Sequence, residues 1–411
     1  MARPGLVLRS PGREQGSLLQ EGVSYNRYDC GMDESGIVTF DSVPDGDVIN
    51  FGIGQPSPDL LPVRLIQEAT TDFLSKAHPL ELNYGERAGD ERFRKSLAEF
   101  LTRHYHSPVT PESLIVSGGN SQALDFVCSQ LAQKGDTIFI EEPTYFLAHR
   151  IFADHGLNVV GIPMDENGMR MDILREKLEQ HRPALLYTIP SYHNPCACTL
   201  SGDRRRELAA LSREHDFIVV ADEVYQLLHY FETPPPPAMG TLLESGNILS
   251  LGSFSKIMAP GLRLGWIQAS SHLVDMLMQT GVINSGGSFN HFTSQVMRHA
   301  IDLGLQQSML DKLRATYKRR VEAMESALQA EIGTRARWTK PEGGYFFWLE
   351  LDSDTSAARL KTDALQNGAG LQPGNVFSCE GSFGNFIRLS FAHYRREQIR
   401  EGVARLAPLI G

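Results

Sequence analysis

One lysine of this sequence lies in a loop whose neighbours suit a phosphorylated aldehyde. In the stretch SFSKIMAPGLRLGW, Lys256 follows Ser253 and Ser255, and Arg263 comes after a Pro-Gly pair. An apolar setting lowers the pKa of an amine, and an unprotonated amine can form a Schiff base with an aldehyde. The two hydroxyls and the guanidinium provide donors for a phosphate group. The loop therefore predicts a covalent site for an aldehyde that carries a phosphate.

Three polar side chains near the ends of apolar segments could serve an aromatic ring. Asp222 and Tyr225 come at the end of FIVVADEVY, and Asn194 follows the apolar run of YTIPSYHNP. A buried acid can keep a pyridine nitrogen protonated, which makes the ring an electron sink. A phenol and an amide can hold a phenolic oxygen on the same ring. The alternatives are a helix N-cap beside a core tyrosine for Asp222, and an Asn-Pro turn for Asn194.

Further candidate residues lie in three other segments. VSGGNSQAL follows a predicted strand and opens a predicted helix, so backbone N–H groups and the helix N-terminus could meet an anion there. Tyr145 in EEPTYFLA could stack on an aromatic ring or fill the core. Arg388 lies in the apolar segment NFIRLSFA. Because a buried arginine needs a partner, we expect it to bind a substrate carboxylate.

The predicted elements that must position these residues alternate regularly along the sequence. From Ser113 onward, short apolar strands alternate with helices, which predicts an α/β fold with a mostly parallel sheet and ligands at the strand ends. After about residue 290, long helices and two apolar strands predict a smaller α+β domain. We expect an N-terminal arm at 1–47, a small domain at 48–75 and 291–411, and a large ligand-binding domain at 76–290.

Composition and charge exclude several classes of protein. The 411 residues carry a formal net charge of −10, whereas a general nucleic-acid binder relies on a basic surface. No apolar run reaches the ~20 residues that span a bilayer. Five scattered cysteines indicate reduced thiols and a cytoplasmic location. Cys196 and Cys198 have only His193 nearby, which is too few ligands for a metal site, so we expect no metal.

Taken together, these segments resemble the fold-type I pyridoxal-phosphate enzymes of the class I and II aminotransferase family. More narrowly, they look like its 2-aminoadipate and kynurenine aminotransferase subgroup. The resemblance runs from about residue 50 to the C-terminus. It rests on the segments GIGQPSPDLLP, LNYGERAGDERFRKSLAEFL, SGGNSQALD, EEPTYF, YTIPSYHNP, VVADEVY, SFSKIMAPGLRLGW, PEGGYFFWLEL, LQPGNVF and FIRLSFA. It implies a large pyridoxal-phosphate domain with a mostly parallel seven-stranded sheet between helices, plus the smaller α+β domain.

The resemblance also implies roles for the residues of the reaction. Lys256 would form the Schiff base with pyridoxal 5'-phosphate and later move a proton. Asp222 would pair with the ring nitrogen, while Tyr225 and Asn194 would hold the phenolic oxygen. The implied reaction is a ping-pong transfer of an amino group from a bulky or dicarboxylic amino acid to a 2-oxo acid such as 2-oxoglutarate.

The remaining site residues follow by position in the same way. The implied phosphate ligands are Asn120, Ser121, Ser253, Ser255 and Arg263. Tyr84 would reach the phosphate from the neighbouring subunit, so the resemblance implies a homodimer with shared active sites. Tyr145 would stack on the ring. Arg388 would take the substrate α-carboxylate, with Gly54 and Asn194 lining the same place.

One loop departs from the family pattern. The family usually continues Asn-Pro with Thr-Gly, whereas NPCACT has Cys196 and Ala197 there. Because alanine takes a positive φ less easily than glycine, we expect this loop to differ in shape, unless the change is a neutral one in a packed turn. A reshaped pocket would favour another pyridoxal-phosphate reaction: β- or γ-elimination, replacement, or carbon–carbon bond formation.

A third hypothesis is a non-catalytic sensor, because some transcription regulators carry an aminotransferase-like domain. Such a regulator needs an N-terminal DNA-binding module, and the irregular residues before GIGQPSPD show no helix-turn-helix pattern and no basic stripe. We therefore favour an enzyme. In this subgroup the N-terminal arm often covers the active site, which makes Tyr25, Arg27 and Tyr28 candidates for substrate specificity.

Overall fold

The structure is a computed structural model that describes residues 48–411. Tyr25, Arg27 and Tyr28 of the predicted arm lie outside these residues, so their role stays a prediction. The α-helices are α1 Val63–Lys76, α2 Glu91–Tyr105, α3 Asn120–Leu131, α4 Phe146–Asp154, α5 Met171–Gln180, α6 Gly202–Glu214, α7 Ser271–Met278, α8 Gly281–Gly286, α9 His291–Asp302, α10 Leu305–Glu331, α11 Ala357–Gln366 and α12 Arg396–Leu406. The strands are β1 Ile49–Asn50, β2 Leu114–Ser117, β3 Thr137–Glu142, β4 Asn158–Asp165, β5 Gly168–Met169, β6 Pro183–Thr188, β7 Ile218–Asp222, β8 Ile248–Ser253, β9 Gly265–Ala269, β10 Ala336–Arg337, β11 Phe346–Leu351, β12 Ala369–Gly370, β13 Gln372–Pro373 and β14 Phe386–Ser390.

The main sheet confirms the predicted α/β fold. Its strand order is β2-β9-β8-β7-β6-β3-β4-β5. The central pairs β4/β3, β3/β6, β6/β7 and β7/β8 are parallel, and only the pairs that involve β9 or β5 are antiparallel. The expected count of seven strands is one short. The eighth strand is the two-residue β5, which turns back on β4 because Gly168 adopts a φ of +93°.

Local sequence explains why the helices begin and face as they do. In α2, the Asp90 side chain accepts a hydrogen bond of 2.9 Å from the Phe93 backbone N–H, a standard N-cap. Phe93, Leu97 and Leu101 follow at four-residue spacing and are fully buried. One amphipathic face therefore fixes the helix against the core.

The chain beyond residue 330 forms a second, antiparallel sheet. Its order is β10-β11-β14-β13, and helix α10 packs against α12 nearby. The short strand β1 pairs in parallel with β12, which ties the start of the described chain to its last third. The domain boundaries given above stay a prediction. Among residues 48–411, none of the helices combines the length and the apolar character needed to cross a bilayer.

The main sheet brings several predicted site residues to one edge. Strands β6, β7 and β8 are parallel neighbours, so their carboxyl ends lie side by side. Asp222 is the last residue of β7 and Ser253 the last of β8, while Asn194 follows β6. Asn120 opens α3 just after β2. This edge is where an open α/β sheet binds its ligand.

Candidate active site

Lys256 lies in the turn after β8 and points at the segment that follows β1. Its Nζ donates a hydrogen bond of 2.8 Å to the Gly54 carbonyl oxygen and lies 5.1 Å from the centre of the Tyr345 ring. Burial, with further repulsion from Arg388, lowers the pKa of Lys256 to about 8, although Asp222 acts in the opposite direction. A substantial fraction of the amine is therefore neutral near physiological pH, as a nucleophile or base requires.

Asp222 is a buried carboxylate with a donor on each oxygen. Asn120 Nδ2 donates to Oδ1 at 2.5 Å, and the Tyr187 hydroxyl donates to Oδ2 at 2.9 Å. Burial raises the pKa of Asp222 above its usual value, and these two donors and the Lys256 charge offset only part of that rise. The two donors stabilise the ionised form of Asp222. A buried carboxylate of this kind needs a positively charged partner.

Arg388 lies in β14 and is held on two sides. Its Nη1 donates to Asn194 Oδ1 and its Nη2 to the Gly52 carbonyl oxygen, both at 2.9 Å. The guanidinium carbon sits 4.1 Å from the Phe346 ring centre and 4.9 Å from that of Phe377. Its Nε is buried and has no hydrogen-bond partner among residues 48–411. Burial lowers the pKa of Arg388 to about 10. A substrate carboxylate would stabilise this buried cation.

Two residues beside Arg388 take their expected places. Because an arginine only donates, Asn194 must present its oxygen to it, which leaves the Asn194 amide hydrogens for another acceptor. Gly54 leaves room next to the guanidinium: a Cβ there would come within 3.2 Å of the Phe346 ring and 3.9 Å of Arg388 Nη2. A side chain at residue 54 would therefore narrow the pocket.

Tyr225 and Tyr145 lie among the same groups. Tyr225 is buried, with its ring centre 5.4 Å from that of Tyr345, and burial raises its pKa. Burial raises the pKa of Tyr145 to about 12, helped by the Asp222 charge and opposed by the Arg388 and Arg263 charges. Tyr145 is thus within electrostatic reach of the acid and of both cations.

The predicted phosphate ligands gather around the starts of α3 and the lysine turn. Ser253 Oγ contacts Ser255 Oγ at 2.9 Å. Gly119 has a φ of +90°, and a Cβ there would come within 3.4 Å of Arg263 Nη2, so this guanidinium lies against the N-terminus of α3. Its Nη1 donates a long hydrogen bond of 3.4 Å to the Pro260 carbonyl oxygen. Ser121 is exposed at the same helix end.

Two predicted cofactor residues have other surroundings. The Asn120 side chain turns toward Asp222 and toward the Leu251 carbonyl oxygen, at 3.2 Å, in addition to its place at the helix N-terminus. Tyr84 is 83% exposed on this chain.

The sequence analysis did not identify Tyr187 as a residue of the site. Its register opposite Val220, two residues before Asp222, puts it on the same face of the sheet as the acid.

The NPCACT loop differs from expectation in one respect. Ala197 adopts a φ of 60°, the conformation that we expected an alanine to avoid. Two backbone hydrogen bonds stabilise it: Ala197 N to the His193 carbonyl oxygen at 2.7 Å, and His193 N to the Cys198 carbonyl oxygen at 2.9 Å. These bonds offset the ~1–2 kcal/mol cost of a left-handed residue. The alanine therefore does not prevent the turn from forming next to Asn194.

The residues at this edge fit pyridoxal phosphate. A buried amine, a buried acid and a set of hydroxyl and guanidinium donors supply the aldehyde, ring-nitrogen and phosphate contacts that this group needs. Gly119 provides a surface that a side chain would fill, and Arg388 Nε provides an unpaired donor for the substrate. The side chains at this edge therefore have the chemistry that is needed at the ring and at the phosphate of the cofactor.

Comparison with known proteins agrees with these features. The family model for aminotransferase class I and II matches residues 46–406. The chain is 34% identical to aromatic-amino-acid aminotransferase 1 of Thermococcus litoralis, over 90% of this chain and 89% of that protein. It is 32% identical to 2-aminoadipate transaminase of Thermus thermophilus, over 87% and 89%. A kynurenine aminotransferase of Pyrococcus horikoshii, solved in complex with PMP, superposes with a TM-score of 0.82 at 30% identity, covering 89% of this chain and 91% of that one.

Proposed function

Because this chain belongs to the class I and II aminotransferase family, we propose that the pocket around Arg388 selects a bulky amino acid as its amino donor. The enzyme is a pyridoxal-phosphate-dependent aminotransferase and uses amino acids and 2-oxo acids as substrates. The alternative reactions of elimination, replacement and carbon–carbon bond formation are not favoured.

Different residues are proposed to hold the ring and the phosphate of the cofactor. Pyridoxal phosphate, when bound, supplies an aldehyde carbon for the amino group and a protonated ring that withdraws electrons from the substrate. In this proposal Asp222 holds the ring nitrogen, Tyr145 covers the ring, and Tyr225 and Asn194 donate to the phenolic oxygen. The proposed phosphate ligands are Ser121, Ser253, Ser255, Arg263 and the backbone N–H groups at the start of α3.

Lys256 has two tasks in this proposal. Its Nζ, with a pKa near 8, is the nucleophile that attaches the cofactor. With the cofactor bound, the free Nζ would act as the general base that removes the substrate α-proton, and would hold that proton on the same side of the pocket for its return. The bond from Nζ to the Gly54 carbonyl oxygen keeps the amine next to the substrate side of the pocket.

We assign the substrate site from the position of Arg388. The guanidinium lies between two aromatic rings, with one edge occupied by Asn194 and Gly52. The free Nε and the remaining hydrogens can form a two-point contact with an α-carboxylate. If Asn194 also donates to the cofactor's phenolic oxygen, as proposed, it would orient a bound carboxylate relative to the ring.

The aromatic surroundings favour a donor with an apolar ring. Phe346 and Phe377 flank Arg388, and Tyr145 is within electrostatic reach of it. Aromatic rings gain from contact with other rings. One relative is named for aromatic amino acids and another for 2-aminoadipate, so a dicarboxylic donor is the second candidate. A 2-oxo acid such as 2-oxoglutarate is the proposed acceptor.

We expect Arg388→Leu to lower kcat/KM for amino donors about 10²-fold, because removing one partner of a buried charge pair costs ~2–5 kcal/mol. The test is a donor series on the reconstituted enzyme, comparing phenylalanine, tyrosine, kynurenine, 2-aminoadipate and alanine with 2-oxoglutarate as acceptor. The matched control is Arg337→Leu, a surface arginine whose side chain is 80% exposed. Equal kcat/KM for the two variants would contradict the role of Arg388, and a preference for 2-aminoadipate would contradict an aromatic donor.

A homodimer is the proposed assembly, with Tyr84 crossing to the partner's phosphate site. An apolar patch made of Leu80, Leu82, Tyr84 and Phe292 lies on the surface of one chain, with exposures of 68%, 63%, 83% and 48%. His291 Nε2 lies 3.1 Å from the Glu81 carbonyl oxygen, which brings the two segments of this patch together. An exposed apolar patch of this kind is typical of a protein–protein interface.

We expect Leu82→Asp to weaken the dimer at least about 10²-fold and to weaken pyridoxal phosphate binding with it. A charge buried at an interface without a partner is costly, and separated chains lose the partner's Tyr84. Light scattering after size exclusion at several concentrations measures the dissociation. The control is Leu365→Asp, at an exposed leucine of α11. A dimer that persists unchanged in Leu82→Asp places the interface elsewhere.

A cytoplasmic location is proposed from the thiols. Cys128, Cys196, Cys198 and Cys379 are free in the described part of the chain. Unpaired thiols are typical of a reducing compartment.

A further inference from the structure

The Asp222 carboxylate is held by two donors that come from different elements. Asn120 opens α3, and its Nδ2 reaches Oδ1 at 2.5 Å. Tyr187 lies in β6, and its hydroxyl reaches Oδ2 at 2.9 Å. We propose that Asn120 and Tyr187 are positioning residues that keep Asp222 ionised and aimed at the ring nitrogen, and that the Asn120 side chain serves this acid instead of the phosphate. The proposal rests on the proposed function of Asp222.

The geometry of Asn120 commits its amide to the acid. One carboxamide has two N–H bonds, and Nδ2 uses them on Asp222 Oδ1 and on the Leu251 carbonyl oxygen at 3.2 Å. Asp222 and Leu251 are register partners in β7 and β8, so the amide bridges two neighbouring strand ends. No side-chain hydrogen of Asn120 remains for a phosphate, although its backbone N–H still lies at the helix N-terminus.

The oxygen of the Asn120 carboxamide destabilises the fold where it lies. Asn120 Oδ1 is buried and has no hydrogen-bond partner among residues 48–411. A buried acceptor without a partner destabilises a fold, and a small apolar residue would avoid that penalty. The asparagine is therefore better explained by what its Nδ2 does for Asp222.

Tyr187 supplies the second donor from a rigid position. It is fully buried in β6, and its ring centre lies 5.5 Å from that of Phe152 in an edge-to-face contact. Burial and the nearby Asp222 charge raise its pKa well above the usual value, so the hydroxyl stays protonated and can only donate to a carboxylate. Together the two donors occupy one lone pair on each oxygen, which fixes the plane of the carboxylate.

These donors matter because burial raises the pKa of Asp222 and so disfavours its charged form. A neutral carboxylic acid cannot stabilise a positive ring nitrogen, whereas hydrogen bonds to the ionised form favour the charge. The Lys256 charge also lowers the pKa of Asp222, and Lys256 is the residue proposed to exchange a proton with the substrate. Asn120 and Tyr187 therefore hold the charge through steps in which Lys256 changes its own.

The test compares the apoenzyme's affinity for pyridoxal phosphate with that for pyridoxal, which lacks the phosphate. We expect Asn120→Ala and Tyr187→Phe each to weaken both ligands about tenfold, since a hydrogen bond to a charged group is lost, so that the ratio of the two affinities stays constant. Ser255→Ala, on the phosphate side, should change that ratio. Tyr105→Phe, a buried tyrosine of α2, is the control for loss of a hydroxyl elsewhere.

A second readout follows the ring nitrogen itself. With ¹⁵N-labelled pyridoxal phosphate, the nitrogen signal of the wild type should report a protonated ring, and the double variant Asn120→Ala with Tyr187→Phe should shift toward the unprotonated position. A loss of pyridoxal phosphate affinity without loss of pyridoxal affinity in Asn120→Ala would make Asn120 a phosphate ligand and overturn the proposal. Unchanged affinities and an unchanged nitrogen signal would overturn it as well. If the wild type itself binds no pyridoxal phosphate, the proposed function fails instead.

Discussion

Replacing Lys256 with alanine is expected to lower amino-group transfer by about 10⁴-fold or more. The side chain provides both the nucleophile and the general base, and a well-placed acid–base group alone contributes about 10²–10⁴-fold. Its Nζ lies between the Gly54 carbonyl oxygen and the Asp222 and Arg388 charges, where no other lysine is expected to replace it. Steady-state transfer from the best donor to 2-oxoglutarate, after reconstitution with pyridoxal phosphate, measures the loss.

A covalent readout separates the lysine's role from folding. Borohydride reduction of the reconstituted wild type should fix one cofactor on Lys256, visible as added mass on the peptide that contains SFSK. The Lys256→Ala protein should gain no mass while it keeps its thermal midpoint. Lys340→Ala is the control, because Lys340 is exposed and its amine lies over the Phe231 ring, 4.5 Å from the ring centre. Activity of Lys256→Ala within tenfold of the wild type would exclude Lys256 as the reacting amine.

Much of the fold could be predicted from sequence pattern. The helix ERFRKSLAEFLTRHY forms at Glu91–Tyr105 because its apolar residues recur every three or four positions after an Asp N-cap. The apolar run FIVVAD forms β7 and stops at the acid. The two-residue strand β5 could not be predicted in this way. It depends on the reversal at Gly168 and on pairing with β4, and two residues are too few to show alternation.

Site residues could be predicted where a charged residue interrupts an apolar segment. They were harder to predict where a contact with a distant part of the chain decides the role. A lysine, an acid and an arginine in apolar segments stand out, and the structure brings Lys256, Asp222 and Arg388 within electrostatic reach of one another. Tyr187 looked like an ordinary core tyrosine, because only the neighbouring strand shows that its hydroxyl meets Asp222. Ala197 misled for a similar reason: its φ is set by two backbone bonds across the turn, which no propensity scale includes.

The second large effect concerns Asp222→Asn, which we expect to lower kcat about 10³-fold while the protein stays folded. Asparagine fills nearly the same space but carries no charge, and loss of one partner from a buried ion pair costs ~3–5 kcal/mol. Single-turnover release of the 2-oxo acid measures the loss in the chemical step. Asp203→Asn is the control, since the Asp203 side chain is 91% exposed in α6. Retention of most of the wild-type kcat would contradict a charged partner for the ring nitrogen.

Combining this substitution with its neighbours sharpens the conclusion. If Asn120 and Tyr187 act only by keeping Asp222 charged and aimed, their removal should cost little once Asp222 is already asparagine, because groups in one network are not additive. Asp222→Asn with Asn120→Ala should therefore be about as slow as Asp222→Asn alone, whereas Asp222→Asn with Arg388→Leu should show both losses. Two full losses in the first pair would mean that Asn120 acts on the cofactor by a separate route. The comparison assigns Asn120 to the acid or to the phosphate from rate measurements that do not depend on the binding experiment.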